Sequence, residues 1–358
     1  MTARLVEIDV AKGIGILLVV FGHSWIVGHE IGQLYYVIYS FHVPLFFFLS
    51  GVVFNPNQSL KYLIISKTDS LIKPYWATLL LIAPLYILFK KIPVSTYLLG
   101  AGYGNGTTVV WAPLWFLPHL WALNIFSWTF IRLTNIHRQK GLLKIVMLVA
   151  LLATGYYVLK WLESNPHITS GAPVVVDWGK SLYPGLPLSM DIILVSAFYF
   201  TLGFLSKSKL IDVNEVRLLF LLVGFVLIHL FSVVYVDLNI RKYDGLVWTT
   251  LTALVGIYLV LGLSKLLSQY KVPSRFLSYI GTASLIILIF HGPFQNGIFY
   301  VLNQNIKVHS YLFSVLAFAG GVFLPLIVLD VIRKTRWLRL LYMPVSNKWA
   351  GQTVKNLR

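Results

Sequence analysis

Apolar residues dominate this chain in long unbroken stretches, with polar residues gathered between them. A helix rises 1.5 Å per residue and needs about 20 apolar residues to cross a hydrocarbon core about 30 Å thick. Ten stretches meet that length, at 10–28, 35–54, 74–90, 113–131, 142–160, 188–205, 216–236, 246–264, 278–302 and 310–332. Pro84 interrupts the third and Pro118 the fourth, which spans tolerate when neighbours satisfy the freed carbonyls. The pattern predicts an all-α polytopic integral membrane protein of about ten transmembrane helices. It reads as a single transmembrane domain over residues 1–340, followed by a short basic tail at 341–358. Repeats and low-complexity tracts are not evident. The first stretch has no small-residue cleavage pattern after it and reads as a retained span.

Composition sharpens this picture. Of 358 residues, 58% are hydrophobic and 11% charged, and the net charge is +17. Soluble domains run at about 25% charged, so a soluble enzyme is excluded, and disorder needs the opposite balance. Cysteine is absent, which removes disulfides, thiolate metal sites and a cysteine acyl-enzyme. The positive charge lies between apolar stretches rather than on one folded face, so it indicates membrane charge bias and not nucleic-acid binding. With the N-terminus in the cytoplasm, most of the 29 Lys and Arg fall on the cytoplasmic side, as the positive-inside rule requires. Both termini are then cytoplasmic. Two outer segments are long, Leu99 to Pro113 with four glycines and Glu163 to Pro187 rich in Pro, Gly and Ser. They are either flexible connections or the rim of a binding site.

Ionisable side chains inside spans are costly and mark function by default. Of nine histidines, His29, His137, His167 and His309 fall in loops or at ends, while His23, His42, His119, His229 and His291 fall within spans. At 1.5 Å per residue these five lie near one plane in the outer half of the membrane. His229 has no supporting neighbours and is read as a packing residue. Lys12 lies 11 residues before His23, close to three turns, so both leave one helix face. Lys12 either snorkels to the headgroups or forms a cationic mouth at the inner end of a channel topped by an imidazole. Asp9, three residues earlier, is placed to pair with it. A long anionic thioester donor suits such a channel. Its phosphates would rest among inner cations and its apolar arm would run up to the histidines. There an imidazole takes a proton from an attacking hydroxyl. No metal is expected.

The first span reads Asp9-Val-Ala-Lys12-Gly-Ile-Gly-Ile-Leu-Leu-Val-Val-Phe-Gly-His23-Ser24, and the second Ser40-Phe-His42-Val-Pro44-Leu-Phe-Phe-Phe-Leu-Ser50-Gly51. Later stretches are Lys73-Pro74-Tyr75, Leu114-Trp115-Phe116-Leu117-Pro118, Leu188-Ser189-Met190-Asp191 leading to Gly203, and Gly281-Thr-Ala-Ser284-Leu285 running to His291. In this order they resemble the acyltransferase-3 family of membrane O-acyltransferases, in its fucose 4-O-acetylase-like branch. The resemblance implies acetyl-CoA as cytoplasmic acyl donor and co-substrate. It also implies transfer to a hydroxyl of a cell-envelope polysaccharide or lipid-linked sugar, in the bacterial inner (cytoplasmic) membrane. His23 would be essential and Lys12 would act with it, with Lys67 and Lys73 holding the coenzyme phosphates. Many members carry an arginine-rich cluster there; this chain has spaced lysines.

His23 is then either general base or transient acyl carrier. His42 and His291 either orient it or bind the acceptor glycan, a role open to His119 as well. Trp115 and Trp111 either stack on a sugar or belong to an interfacial belt. Asp191 either accepts sugar hydroxyl bonds or caps a helix. Ser24, adjacent to His23 on a helix, does not face it and is not read as a nucleophile. The expected partners are membrane lipid and the glycan, with no nucleic acid; oligomeric state is not legible. The competing class is a transporter or flippase for an anionic lipid or sugar. Against it stand the lack of repeated halves and the few buried carboxylates. Covalent transfer of a labelled acyl group separates the two.

Overall fold

A computed structural model of the chain describes residues 6–29, 32–175, 183–207, 215–232, 234–305 and 310–345. His309, residues 176–182 of the segment expected to be the second outer one and residues 346–358 of the basic tail lie outside the described residues. The protein is an all-α polytopic membrane protein. Among the described residues, eight helical stretches are long and apolar enough to cross a membrane: Gly32–Val52, Leu60–Phe89, Ala112–Thr134, Gly141–Ser164, Pro187–Ser206, Leu246–Ser268, Ser284–Gln304 and Tyr311–Lys334. The remaining two apolar stretches form α1 (Val6–Gly22) and α11 (Glu215–Phe231), each 17 residues long. Helices suit the bilayer because they satisfy their own backbone polar groups.

The chain divides into two compact units. The first comprises Met1–Val53, Tyr199–Leu238 and Lys242–Leu329; the second comprises Phe54–Phe198, Asn239–Arg241 and Asp330–Arg358. In the first unit α1 is followed by α2 (Trp25–His29), α3 (Gly32–Tyr39) and α4 (His42–Val52). The expected first span ran to residue 28, but α1 ends at Gly22 and α2 restarts at Trp25. The tightening is local. The His23 amide still donates to the Val19 carbonyl, four residues back, whereas the Ser24 amide donates to Phe21, three back. That change from α to 3-10 spacing closes a helix end.

Glycines set the closest approaches in this unit. Gly13 of α1 lies against the backbone carbonyl of Leu277, and Gly281 lies against that of Asp9, so a β-carbon at either would collide. Leu277 and Gly281 belong to α13 (Lys271–Thr282), and the reciprocal pair lets α1 and α13 touch backbone to backbone. Gly51 on the Phe200 carbonyl and Gly203 on the Phe48 carbonyl repeat the device between α4 and α10 (Ile193–Ser206). Small residues at such contacts drive helix association in lipid, where no hydrophobic force acts between spans. The rest of the unit is α12 (Leu246–Ser268), α14 (Ser284–Asn305) and α15 (Ser310–Lys334) as far as Leu329. A two-stranded antiparallel ribbon, β1 (Val236–Asp237) with β2 (Lys242–Tyr243), follows α11.

The second unit opens with the continuous helical stretch Leu60–Phe89, made of α5 (Leu60–Lys67), a π turn at Thr68–Ile72, α6 (Lys73–Pro84) and a second π turn at Leu85–Phe89. Hydropathy alone started this span at residue 74. Three lysines and an aspartate conceal its first half; Lys73 and Asp69 pair there one turn apart, which offsets two of the four charges. Ser59 caps the start, accepting from the Tyr62 amide. The unit continues with α7 (Val94–Tyr103), α8 (Phe116–Thr134) and α9 (Gly141–Ser164), and ends with α16 (Arg336–Tyr342).

The described parts of the two long connections, 99–113 and 163–187, are stitched together rather than free. Asn105 donates to the carbonyls of Pro184 (3.0 Å) and Leu186 (3.2 Å), Tyr103 donates to Gly185 (2.8 Å), and the Val175 amide donates to Thr107 (3.0 Å).

Candidate active site

Because α1 stops at Gly22, the next side chain leaves the helix where the chain turns. That side chain is His23, and it is exposed. Its ring lies 5.4 Å from that of His291, centroid to centroid, and its Nδ1 lies 3.3 Å from the hydroxyl of Tyr39. Tyr39 sits at the end of α3, edge-on to His42 at 4.6 Å. The turn after α1 thus carries His23, α14 carries His291, and the α3–α4 corner carries Tyr39 and His42. Three of the sequence-predicted imidazoles gather in the first unit.

Their hydrogen bonds separate them. His42 Nδ1 donates to the Ile38 carbonyl at 3.0 Å, and His291 Nδ1 donates to the carbonyls of Ile287 (3.0 Å) and Leu288 (2.9 Å). A carbonyl accepts and never donates, so both rings carry the proton on Nδ1. Each is buried, at 4% and 1% exposure. His291 is tied to its own helix and His42, the first residue of α4, to the end of α3, while the side chain of His23 is exposed. His229, also buried, is held by Phe225 in the same i−4 manner.

His23 lines a cleft of about 560 Å³ together with Trp25, Gln295, Asn296, Phe299 and Tyr300. Trp25 stacks on Phe299 at 5.2 Å and forms an aromatic wall. Gln295 is one turn beyond His291 on α14 and 2% exposed. It donates through Nε2 to the Val20 carbonyl (3.1 Å), which leaves its Oε1 without a hydrogen-bond partner among the described residues. At the other end of α1, Lys12 is half-buried with its ammonium 4.0 Å from the Asp9 carboxylate, the i, i+3 pairing the sequence suggested.

The remaining candidates belong to the second unit. His119 is fully buried, with Nδ1 on the Leu188 carbonyl (3.1 Å) and Nε2 on the Ser196 hydroxyl (2.9 Å). Both ring nitrogens are engaged. Trp115 is buried against it, rings 5.8 Å apart. Asp191 accepts from Arg241 Nε at 3.0 Å, and both side chains are wholly buried. The backbone is strained around this pair: Leu188, Ser189 and Arg241 all have positive φ, a conformation costly for residues other than glycine. Lys73 donates to the Asp69 carboxylate and to the Met343 carbonyl, and Lys67 lies half-buried at the end of α5.

Sequence reasoning missed Tyr39, Gln295 and Arg241. The first two left a signal. Tyr39 stands three positions before His42, and Gln295 follows His291 by one turn, so each lies within a turn's length of a residue already singled out. Arg241 left none, since its partner is 50 positions away.

Among known proteins, a family model described as an acyltransferase domain, that of the acyltransferase-3 family, matches residues 5–332. No curated protein and no solved structure matches the chain.

Proposed function

The chain belongs to the acyltransferase-3 family, and on that premise we propose that it moves an acetyl group from cytoplasmic acetyl-CoA to a hydroxyl of a cell-envelope or lipid-linked saccharide. It is a membrane acyltransferase; the donor, the acceptor, the role of His23 and a place in a bacterial inner membrane with both termini cytoplasmic are our reading. The observation that carries it is the contrast among the clustered imidazoles. His42 and His291 are buried and tied to backbone carbonyls, whereas His23 is exposed at the break after α1 and lines a cleft.

In the general-base route, His23 Nε2 takes the proton of the acceptor hydroxyl as its oxygen attacks the thioester carbonyl. The C–S bond breaks, and the proton passes from the imidazolium to the departing thiolate, giving the ester and free coenzyme thiol. In the carrier route, Nε2 itself attacks and the thiolate leaves; the acceptor oxygen then displaces the imidazole from the acyl group, and its hydroxyl proton ends on the thiolate, giving the same ester and free thiol. Lys12, on the same helix and toward its start, offers a cation to the donor, with Asp9 setting its direction. The assignment of Lys67 and Lys73 to the coenzyme phosphates is part of the proposal. For the acceptor, the cleft beside His23 is the better candidate than Trp115, His119 and Asp191, because those side chains are packed against partners of their own.

The test is purified protein in liposomes supplied with radiolabelled acetyl-CoA and envelope glycan. Label is expected in the glycan with the wild-type protein and not with His23→Ala. Glycan translocation without covalent label would return the chain to the transporter class.

A further inference from the structure

The turn that exposes His23 frees a carbonyl. In a continuous α-helix each amide donates four residues back, so the Ser24 amide would meet the Val20 carbonyl. It meets Phe21 instead. The donor that takes its place comes from α14: Gln295 Nε2 reaches the Val20 carbonyl at 3.1 Å, across 275 positions of sequence. A carbonyl accepts and never donates, so the side of the carboxamide that faces Val20 is its NH2. Gly321 of α15 lies over this contact. A β-carbon there would stand 3.0 Å from Val20 Cγ1 and 3.3 Å from Gln295 Cβ, so α15 closes directly on the bond. All of these residues belong to the first unit.

A buried carboxamide with one side unsatisfied is costly. Gln295 is 2% exposed, and its Oε1 has no hydrogen-bond partner among the described residues. Leucine or methionine would fill the space without that cost, so what the side chain supplies is its N–H. The turn it caps has a geometric consequence. Successive residues of an α-helix are rotated by about 100°, which would set His23 and Trp25 about 200° apart on an unbroken helix. Here both line the same cleft. The break at Ser24 separates α1 from α2, and Trp25, the first residue of α2, stacks on Phe299 of α14 at 5.2 Å. Helix α14 thus grips the turn twice, through Gln295 on the last turn of α1 and through Phe299, four residues on, against the start of α2.

We propose that Gln295 is a positioning residue: by capping the Val20 carbonyl it holds the turn after α1, and so keeps Trp25 beside His23 as a wall of the acceptor cleft. The inference rests on that cleft receiving the acceptor of the proposed reaction. Val20 is fully buried, and a buried carbonyl needs a donor. Without the Gln295 N–H, the Ser24 amide is the donor that helix geometry supplies. Helix α1 then runs on into α2, as the single span that the apolar pattern predicts for 10–28, and Trp25 turns away from His23. Lys12, near the other end of α1, is untouched by this change.

The test uses Gln295→Met, close to glutamine in size and without an N–H. Fluorine-19 NMR of protein labelled with 5-fluorotryptophan, with the Trp25 signal assigned by its loss in Trp25→Phe, reads the wall without substrate. The Trp25 signal is expected to move in Gln295→Met while the other tryptophan signals keep their positions. In transfer kinetics the KM for the glycan should rise about 3- to 10-fold, the worth of one hydrogen bond, with the KM for acetyl-CoA unchanged. An unmoved Trp25 signal overturns the proposal whatever the kinetics. So does a general shift of the tryptophan signals with both KM values raised, which would mean that the variant loosens the whole protein. A moved Trp25 signal with the glycan KM unaltered, or with no transfer even by the wild type, would remove the acceptor reading of the cleft and leave Gln295 as the cap of the turn.

Discussion

The two units treat polar side chains in opposite ways. In the second, Arg241 and Asp191 are wholly buried and face each other at 3.0 Å, and His119 has both nitrogens engaged. In the first, the ring of His23 is exposed beside a cleft and touches the protein through Nδ1. Both clusters carry groups that are expensive inside a membrane. One offsets that expense by mutual neutralisation, the other leaves a nitrogen available. The difference separates polar residues that hold the protein together from those that meet a substrate, and burial alone would not have made it, since His42 and His291 are as buried as His119.

The largest effect that would break this contrast is at His23. His23→Ala is expected to cut acyl transfer by roughly 10²- to 10⁴-fold, the range of a positioned acid–base group. Thermal unfolding in detergent should stay close to wild type, since the ring is exposed. Full transfer by this variant would remove the distinction between the two clusters.

The buried pair should behave in reverse. Arg241→Met leaves the Asp191 carboxylate alone in the interior and should cost about 3–5 kcal/mol of stability, read as a lower unfolding temperature and lower yield of folded protein. The double variant Asp191→Leu, Arg241→Met should regain much of that loss, because a buried pair replaced as a whole leaves no charge behind. Acceptor KM in the double variant is the sharper readout. It should be unchanged if Asp191 serves Arg241, and raised if Asp191 binds the sugar.

Lys12 lies between these extremes, half-buried and 4.0 Å from Asp9. A hydrogen bond to a charged group contributes roughly 1.5–3 kcal/mol, so Lys12→Ala should raise the KM for acetyl-CoA about tenfold or more, and Lys12→Arg should retain most of the affinity. Unchanged donor affinity in Lys12→Ala would assign this lysine to the headgroups.

Much of the fold can be read from apolar periodicity, because lipid imposes it on every span. Each predicted stretch overlaps a helix, though 10–28, 35–54 and 278–302 each cover parts of two, and Gly13, Gly51, Gly203 and Gly281, which lie in or beside the quoted motifs, turn out to be where backbones meet. The misjudged boundaries have local causes. The span at Leu60–Phe89 hides its start under four charges, two of which pair as Lys73 with Asp69, and α1 ends early through a 3-10 turn that apolar composition does not encode. The gathering of His23, His42 and His291 in one unit was foreshadowed by their similar depth. His119 shared that estimate, yet it belongs to the other unit and is bonded there to Leu188 and Ser196. What depth could not supply is lateral contact. Arg241 with Asp191, and Tyr235 with Tyr35 of α3, join positions 50 and 200 residues apart, and a single sequence carries no local mark of such pairs.

The smallest expected effect concerns the residue next to His23. Ser24 is 3% exposed, and its hydroxyl has no hydrogen-bond partner among the described residues. A hydroxyl beside an imidazole in sequence invites the role of nucleophile, but the two side chains diverge here: His23 is exposed and lines the cleft, whereas Ser24 is buried. Removing a buried hydroxyl that makes no bond forfeits no interaction and relieves a desolvation penalty of about 1–3 kcal/mol at most. Ser24→Ala should therefore unfold at the wild-type temperature or slightly above it, and should transfer acetyl groups at a rate within about twofold of wild type, less than 1 kcal/mol on the barrier. A loss on the scale of His23→Ala would mean that the hydroxyl reaches the cleft during turnover. The division between an available imidazole and its buried neighbour would then have to be redrawn around a serine that attacks the thioester with His23 as its base.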